Sequence, residues 1–129
     1  MSNNGKQPYP FSVLMVEDSP PQALKLKLAL ENNGYHVDWS ETGLGGLDIA
    51  QQKDFDLIVL DVELPDINGF EVCKRLKEDS DLKDIPVVML TTLDHAEHVM
   101  SGLDAGAIDY IPKDAFAETV LIETIKQMT

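Results

Sequence analysis

Short unbroken runs of hydrophobic residues alternate along this chain with longer segments whose apolar residues recur at helical spacing. Runs rich in Val, Ile and Leu are typical of parallel strands that are buried on both faces. The pattern therefore predicts five strands, over residues 11–16, 37–40, 55–60, 87–90 and 108–112. Each strand is followed by a predicted helix, and the second, third and fourth of these helices cover residues 42–52, 70–78 and 95–103.

The first and last helices have recognisable ends. Ser19-Pro20-Pro21 opens the first helix and Gly34 ends it, because proline suits a first turn and glycine the residue after the last one. Asp114 is expected to cap the last helix. The helical spacing predicts that the first helix buries Ala23, Leu26 and Leu30, and that the last helix directs Val120, Leu121, Ile125 and Met128 inward.

Five strands alternating with five helices predict a doubly wound (βα)5 unit, which is a three-layer α/β sandwich with right-handed crossovers. For a chain of 129 residues the flavodoxin-like order 2-1-3-4-5 is favoured, with strands 1 and 3 side by side. Strand 5 is then an edge strand, where Pro112 is tolerated. Gly45 and Gly46 each cost the second helix ~1 kcal/mol relative to alanine, so we expect it to be the softest element.

Charged and hydroxyl side chains stand where the predicted strands end. Glu17 and Asp18 follow the first strand, Asp61 the third, Thr91 the fourth and Lys113 the fifth. The carboxyl ends of parallel strands meet at one edge of the sheet, which is where ligands bind in open α/β folds. Three carboxylates at close range repel one another and require a cation. Mg²⁺ is the expected ion, because it prefers carboxylates, waters and phosphate oxygens.

The same residues predict a phosphorylatable aspartate. A carboxylate can act as the nucleophile that accepts a phosphoryl group. Phosphoryl transfer depends mainly on positioning and charge neutralisation, which Mg²⁺ and the Lys113 ammonium group would supply. The Thr91 hydroxyl could donate a hydrogen bond to the transferred group.

Charge and composition narrow the class of protein. The formal net charge of −13, with 43% hydrophobic residues, fits one globular domain and argues against nucleic-acid or anionic-membrane binding. Cys73 is the only cysteine, which excludes an internal disulfide and fits a reducing compartment. Residues 1–10 lack the apolar core of a signal peptide and are expected to be a disordered lead before a domain over residues 11–129. We therefore expect a cytoplasmic protein.

The chain resembles the response-regulator receiver domain of two-component signalling, as in chemotaxis regulators, from about Phe11 to Met128. The matching motifs are Val16-Glu17-Asp18, Asp61 with Pro65 and Gly69, Leu90-Thr91, and Tyr110-Ile111-Pro112-Lys113. The resemblance implies a regulatory phosphoacceptor domain, not an enzyme, that receives its phosphoryl group from a sensor histidine kinase or histidine phosphotransfer protein and docks onto an unknown protein target.

The resemblance also implies a role for each site residue. Asp61 would be the phosphoacceptor, and Glu17, Asp18, Asp61 and the backbone carbonyl of Glu63 would serve the Mg²⁺ site. Thr91 and Tyr110 would form the switch pair that reports phosphorylation, next to Lys113.

The chain departs from the family pattern at several positions. Asp114 follows the lysine where proline is usual, so we expect a trans peptide bond there. Thr92 replaces a commoner small residue and is expected to narrow access to the phosphoryl group. Glu63 and Leu93 occupy positions that tune dephosphorylation in the family.

Two other classes of protein use similar residues, and the sequence argues against both. A haloacid-dehalogenase-like phosphatase also uses an aspartate nucleophile with Mg²⁺, but its motif requires a second aspartate two residues later, where this chain has Glu63. A flavodoxin-type FMN carrier requires a hydroxyl-rich loop after strand 1, where this chain is acidic. The sequence leaves open whether the domain stands alone or is a fragment of a longer regulator.

Overall fold

The five predicted strands form one parallel sheet in a computed structural model that describes residues 10–92 and 106–129. The strand order is β2-β1-β3-β4-β5, as predicted. The strands are β1 (Ser12–Val16), β2 (His36–Ser40), β3 (Leu57–Asp61), β4 (Val87–Thr91) and β5 (Asp109–Pro112). Val16 pairs with Leu60, and Thr91 pairs with Pro112 on the outermost strand β5. The carboxyl ends of these strands therefore lie along the same side of the sheet.

Four of the predicted helices lie in the described ranges. They are α1 (Pro20–Asn32), α2 (Gly43–Gln52), α3 (Gly69–Glu78) and a C-terminal helix (Ala117–Met128). The helix predicted over residues 95–103 and nearly all of the predicted lead lie outside the described residues. Within the described ranges, no helix combines the length and apolar character needed to cross a membrane.

Alternation along the central strands divides the core into two layers. Val13 and Met15 pack on the side of α1 and the C-terminal helix, whereas Leu14 and Val16 pack on the side of α2 and α3. β3 and β4 are buried at every position, which is what helices on both faces of a parallel sheet require. The predicted three-layer sandwich is confirmed.

The helix ends agree with the sequence in α1 and differ in the C-terminal helix. Ala23, Leu26 and Leu30 are buried, and Gly34 follows the end of α1 with φ +88°. Asp114 is not the N-cap, because the C-terminal helix begins at Ala117, after an N-cap position occupied by Phe116. The Asp114 side chain instead accepts the Phe116 N–H in the preceding turn.

One inward position of the C-terminal helix was predicted wrongly. Val120 is 41% exposed, whereas Leu121 and Ile125 are fully buried and Met128 packs partly against the core. The buried stripe is narrower than the apolar stripe in the sequence, because only one face of this helix touches the sheet.

The glycines of α2 serve close packing. A Cβ on Gly46 would lie 2.6 Å from Val16 Cγ2, and a Cβ on Gly43 would lie within 3 Å of Ile67 and Val72 side chains. The glycines therefore let α2 approach both β1 and the loop that follows β3. Whether α2 is also the softest element stays a prediction.

The N-terminus of α2 is capped from that loop. The Asp66 carboxylate accepts the N–H groups of Gly43 and Leu44 at 2.9 and 2.8 Å, and Thr42 Oγ1 accepts that of Gly45 at 3.0 Å. Slight burial alone would raise the pKa of Asp66, but the hydrogen bonds from Leu44 and Gly43 hold this pKa below its usual value of 3.8. Asp66 thus ties the loop after β3 to α2.

We predict that Asp66→Ala lowers the free energy of unfolding by about 1 kcal/mol, as loss of a helix cap does. Because the folded-state pKa lies below the unfolded one, the contribution is present above pH 3.8 and is lost as the pH falls through the folded pKa. Urea denaturation at pH 7 and at pH 3 measures both effects. Asp84→Ala is the control, since this exposed carboxylate accepts no hydrogen bond from the described residues. Equal stability of the two variants at pH 7 would contradict the cap.

Candidate functional site

Asp61 is the last residue of β3 and is only 2% exposed. Its Oδ1 accepts the backbone N–H of Glu63 at 3.1 Å, and its Oδ2 accepts a hydrogen bond from Lys113 Nζ at 2.7 Å. Both carboxylate oxygens are therefore held, and the reactive group of the predicted site stands at the carboxyl edge of the sheet.

Glu17 and Asp18 extend β1 at the same edge. Glu17 is fully buried and its N–H donates to the Ser40 carbonyl, which continues the β1–β2 ladder by one residue. Its Oε2 accepts the Ser19 N–H at 3.0 Å, whereas Asp18 is exposed. One carboxylate oxygen from each of Glu17, Asp18 and Asp61 lies within 4.8 Å of the other two. The predicted acidic cluster is formed.

Lys113 reaches the cluster from the end of β5. Its Nζ lies 2.7 Å from Asp61 Oδ2 and 2.8 Å from Glu17 Oε1, and the lysine side chain is 15% exposed. The second approach is an ion pair outside hydrogen-bond angles, so Glu17 Oε1 has no hydrogen bond within the described part of the chain. The Lys113–Asp114 peptide bond is trans, as expected.

Burial and charge shift two pKa values at this site. Burial raises the pKa of Glu17 above 4.5, the nearby Asp61 charge adds to this, and the contacts with Lys113 and the Ser19 N–H oppose it. Burial alone would lower the pKa of Lys113, but the hydrogen bond to Asp61 and the negative charges of Asp61 and Glu17 raise it above 10.5. Lys113 therefore carries its charge at neutral pH, yet one ammonium group does not neutralise three carboxylates.

The donor set fits a small divalent cation. Oxygen ligands from closely spaced carboxylates are what Mg²⁺ prefers, and Glu17 presents a buried oxygen that lacks a hydrogen bond within residues 10–92 and 106–129. Burial is the main cause of the raised pKa of Glu17, and a cation would oppose both this burial effect and the smaller repulsion from Asp61.

Gly69 has a steric reason to be glycine. A Cβ at this position would lie 2.2 Å from the backbone oxygen of Asp61, and the Gly69 N–H donates to the Val62 carbonyl at 2.8 Å. The first residue of α3 thus packs directly on the end of β3. Any larger residue would displace the backbone of Asp61.

The predicted switch residues Thr91 and Tyr110 lie on the neighbouring strands β4 and β5. Thr91 is buried at the end of β4, and its hydroxyl donates to the carbonyl of the exposed Thr92 at 3.2 Å. Tyr110 packs partly against the α2–α3 side of the core, and its buried hydroxyl has no hydrogen-bond partner among the residues that the structure describes.

Glu63 is exposed, and its N–H donates to Asp61. The structure thus brings this residue to the site through its backbone. Leu93 lies outside the described residues.

Sequence reasoning missed two residues that support the site. Trp39 lies on β2, and its Nε1 donates to the Glu17 carbonyl at 2.8 Å. Asp66, which caps α2, was not recognised. Neither residue has a local signal, because both contacts join positions about 22 residues apart and depend on the tertiary fold.

Comparison with known proteins defines the class of this chain. Residues 13–126 match the family model of the response regulator receiver domain. Response regulator MprA of Mycobacterium sp. (strain KMS) is 38% identical over 112 residues, which are 87% of this chain and 48% of MprA. Protein PilH of Pseudomonas aeruginosa is 36% identical over 84% of this chain and 90% of PilH. The chain spans about half the length of the curated relatives MprA and CusR.

Solved structures agree with this class. The receiver domain of a signal transduction histidine kinase from Syntrophus aciditrophicus has a TM-score of 0.83 and 37% identity, covering 91% of this chain and 88% of that one. The chemotaxis protein CheY4 of Vibrio cholerae has a TM-score of 0.86 and 32% identity over 93% and 99% of the two chains. The Mn²⁺-bound response regulator Rcp1 has a TM-score of 0.77 and 27% identity over 92% and 91%.

The chain belongs to the response regulator receiver domain family. It is a signalling domain of two-component systems and not a classical enzyme. The comparisons give no support to a haloacid-dehalogenase-like phosphatase.

We predict that Lys113→Met lowers the free energy of unfolding of the metal-free protein by roughly 3 kcal/mol at pH 7, because two buried carboxylates lose their cation. Since the pKa of Lys113 is raised in the folded state, this contribution is complete below pH 10.5 and is lost as the pH rises through the folded pKa. Urea denaturation in a chelator measures the loss.

Lys126→Met is the matched control, because this lysine is 56% exposed and forms only a surface pair with Glu123. Its loss should stay below about 1 kcal/mol. A Lys113→Met protein as stable as the Lys126→Met protein would show that the buried ion pair contributes nothing.

Proposed function

We propose that Asp61 accepts a phosphoryl group from a phosphohistidine of a sensor histidine kinase or histidine phosphotransfer protein. The observation that carries this proposal is the placement of the Asp61 carboxylate, which lies 2.7 Å from Lys113 Nζ and within 4.8 Å of two further acidic groups. Family membership supports it, because receiver domains accept phosphoryl groups from histidine kinases.

The transfer is a nucleophilic displacement at phosphorus. An Asp61 carboxylate oxygen forms the new P–O bond, and the P–N bond to the donor imidazole breaks. The electron pair of that bond returns to the imidazole nitrogen, so the product is an acyl phosphate. Such a reaction needs positioning and charge stabilisation more than proton transfer. Lys113 supplies positive charge at the Asp61 oxygen, and the N–H of Glu63 orients the carboxylate.

Glu17, Asp18 and Asp61, with the backbone carbonyl of Glu63, would hold Mg²⁺. When bound, this ion neutralises the charge that gathers on the phosphoryl oxygens. The close spacing of the three carboxylates and the buried Glu17 oxygen without a hydrogen bond support this assignment. The structural relative Rcp1, which was solved in a Mn²⁺-bound form, is consistent with it.

Thr91 and Tyr110 are the proposed readout of phosphorylation. The Thr91 hydroxyl donates to the Thr92 carbonyl here, and a phosphoryl oxygen on Asp61 would offer a charged acceptor in its place. A charge-assisted hydrogen bond of ~1.5–3 kcal/mol is enough to shift a two-state packing equilibrium roughly ten- to a hundredfold. Tyr110, the neighbour of Ile111 on β5, would fill the space that Thr91 leaves, and Thr92 would narrow access to the phosphoryl group.

The output of this domain is proposed to be docking onto a protein target. The net charge of −13 disfavours contact of the domain itself with nucleic acid or anionic membranes. We also propose that the domain acts in the cytoplasm. A histidine kinase as the partner and the acidic composition of the chain are consistent with this location.

We predict that incubation with acetyl phosphate and Mg²⁺ adds one phosphoryl group to the parent protein, as measured by intact mass. Asp61→Asn should remain unlabelled, because the amide is not a nucleophile of comparable strength. Asp84→Asn changes an exposed acid away from the sheet edge and should be labelled like the parent. Equal labelling of Asp61→Asn and the parent would disprove the assignment of the phosphoacceptor.

A second prediction concerns the metal. Mg²⁺ at ten times its dissociation constant should stabilise the parent by about 1.4 kcal/mol through mass action, which is a few degrees in melting temperature. Asp18→Ala should abolish most of this response and should not lower the metal-free melting temperature, because it relieves repulsion.

Asp54→Ala is the control for the metal experiment. This exposed carboxylate precedes β3, so it lies at the amino-terminal end of the strands, opposite the acidic cluster. It should leave the Mg²⁺ response unchanged. A parent protein whose melting temperature is indifferent to millimolar Mg²⁺ would rule out the metal site.

A further inference from the structure

We infer that Trp39 is a positioning residue for the cation site, acting through the backbone of Glu17 and Asp18. The inference rests on the proposed Mg²⁺ site. Its basis is that two adjacent residues of β2 hold the Glu17 backbone from both sides. The Ser40 carbonyl accepts the Glu17 N–H at 3.0 Å, and Trp39 Nε1 donates to the Glu17 carbonyl at 2.8 Å.

The second of these bonds lies beyond the sheet ladder. The paired register of β1 and β2 ends with Val16 and Ser40, and the N–H of the next peptide group, Val16–Glu17, bonds to the Ser40 carbonyl, so the Glu17 carbonyl belongs to the second peptide group after Val16. That peptide group links Glu17 to Asp18. Fixing its carbonyl therefore restrains the direction in which the backbone presents Asp18.

Within the described part of the chain, the Asp18 side chain has no restraint of its own, so its position depends on the backbone. Its side chain is exposed, and it makes no hydrogen bond or ion pair with the described residues. Glu17, in contrast, is held by burial, by the Ser19 N–H and by Lys113. The position of the Asp18 carboxylate relative to the other two therefore depends on its backbone, which Trp39 holds at the Glu17–Asp18 peptide and the Glu17 carboxylate holds at the Asp18–Ser19 peptide.

Packing alone does not require tryptophan at this position. The ring packs partly against the apolar layer on the α1 side of the sheet, beside Val37 and Met15. Phenylalanine could supply a similar apolar surface. The feature that tryptophan adds is the indole N–H, which finds a partner when it is partly buried.

Cation binding and the indole hydrogen bond are linked, so the effect of each on the other can be measured. If the indole hydrogen bond favours cation binding by some factor, cation binding must favour the hydrogen bond by the same factor. The usual net worth of one hydrogen bond predicts a factor of roughly three to ten. Trp39 is the only tryptophan in the chain, so its indole N–H gives a single resonance in a nitrogen-correlated NMR spectrum.

The experiment compares the parent, Trp39→Phe and Val37→Ala by calorimetric titration with MgCl₂. Val37→Ala is the matched control, because Val37 is a buried residue of the same strand and the same apolar layer but has no polar side-chain atom. All three titrations are made well below the lowest melting temperature. In the parent, hydrogen exchange of the indole N–H is measured with and without MgCl₂.

We expect Trp39→Phe to bind Mg²⁺ roughly three- to tenfold more weakly, with Val37→Ala unchanged and indole exchange in the parent slowed by a similar factor. Equal affinity of Trp39→Phe and the parent overturns the inference, as does an equal loss in Val37→Ala, which would indicate a purely structural effect. A parent protein that fails to bind Mg²⁺ overturns the proposed metal site itself and this inference with it, so the two failures are distinguishable.

Discussion

The repulsion among three carboxylates at one edge of a parallel sheet is the constraint around which this structure is organised. Glu17 and Asp61 come from adjacent central strands and are almost fully buried, so water does little to screen their charges. Lys113 comes from β5, with β4 between it and Asp61. Its long side chain must therefore cross the end of β4, which is where the small residue Thr91 stands.

The backbone around the acids is fixed from several directions. The Val62 N–H donates to the Leu90 carbonyl, Gly69 packs against the oxygen of Asp61, and the Glu17 peptide is held by β2. The carboxylates thus stand on strand ends whose positions are determined by sheet pairing and helix contacts. A scaffold of this kind keeps like charges close together, which flexible loops would not do, because loops would separate them.

The sequence predicted most of this arrangement, for a physical reason. Runs that are apolar at every position have few uses other than strands buried on both faces, so the end of each run marks the sheet edge. Asp61, Thr91 and Lys113 could be placed together from this pattern alone. Contacts that depend on how separate elements approach each other were not predicted, such as the caps from Asp66 to α2 and the bond from Trp39 to Glu17.

The exposed Val120 and the glycines of α2 show the same limit of sequence reasoning. An apolar residue in a helical pattern shows only that burial of that side chain is possible. The face that is buried depends on the angle at which the helix packs on the sheet, and Val120 is exposed. Gly45 and Gly46 reduce helix propensity, but Gly46 is where Val16 touches α2. At position 46, helix propensity disfavours glycine, whereas close packing against Val16 requires it, and the packing requirement is met.

Charge balance explains why the site requires more than Lys113. One ammonium group beside three ionised carboxylates leaves a net charge of about two negative units, and the Asp61 charge adds to the burial that raises the pKa of Glu17. A divalent cation would bring the site close to neutrality. The proposed phosphorylation of Asp61 would replace its single charge by roughly two charges on the phosphoryl group, so the site would become more negative by about one unit. The proposed cation would therefore be needed more after the transfer than before it, and the residues that position Asp18 would matter most in the phosphorylated state.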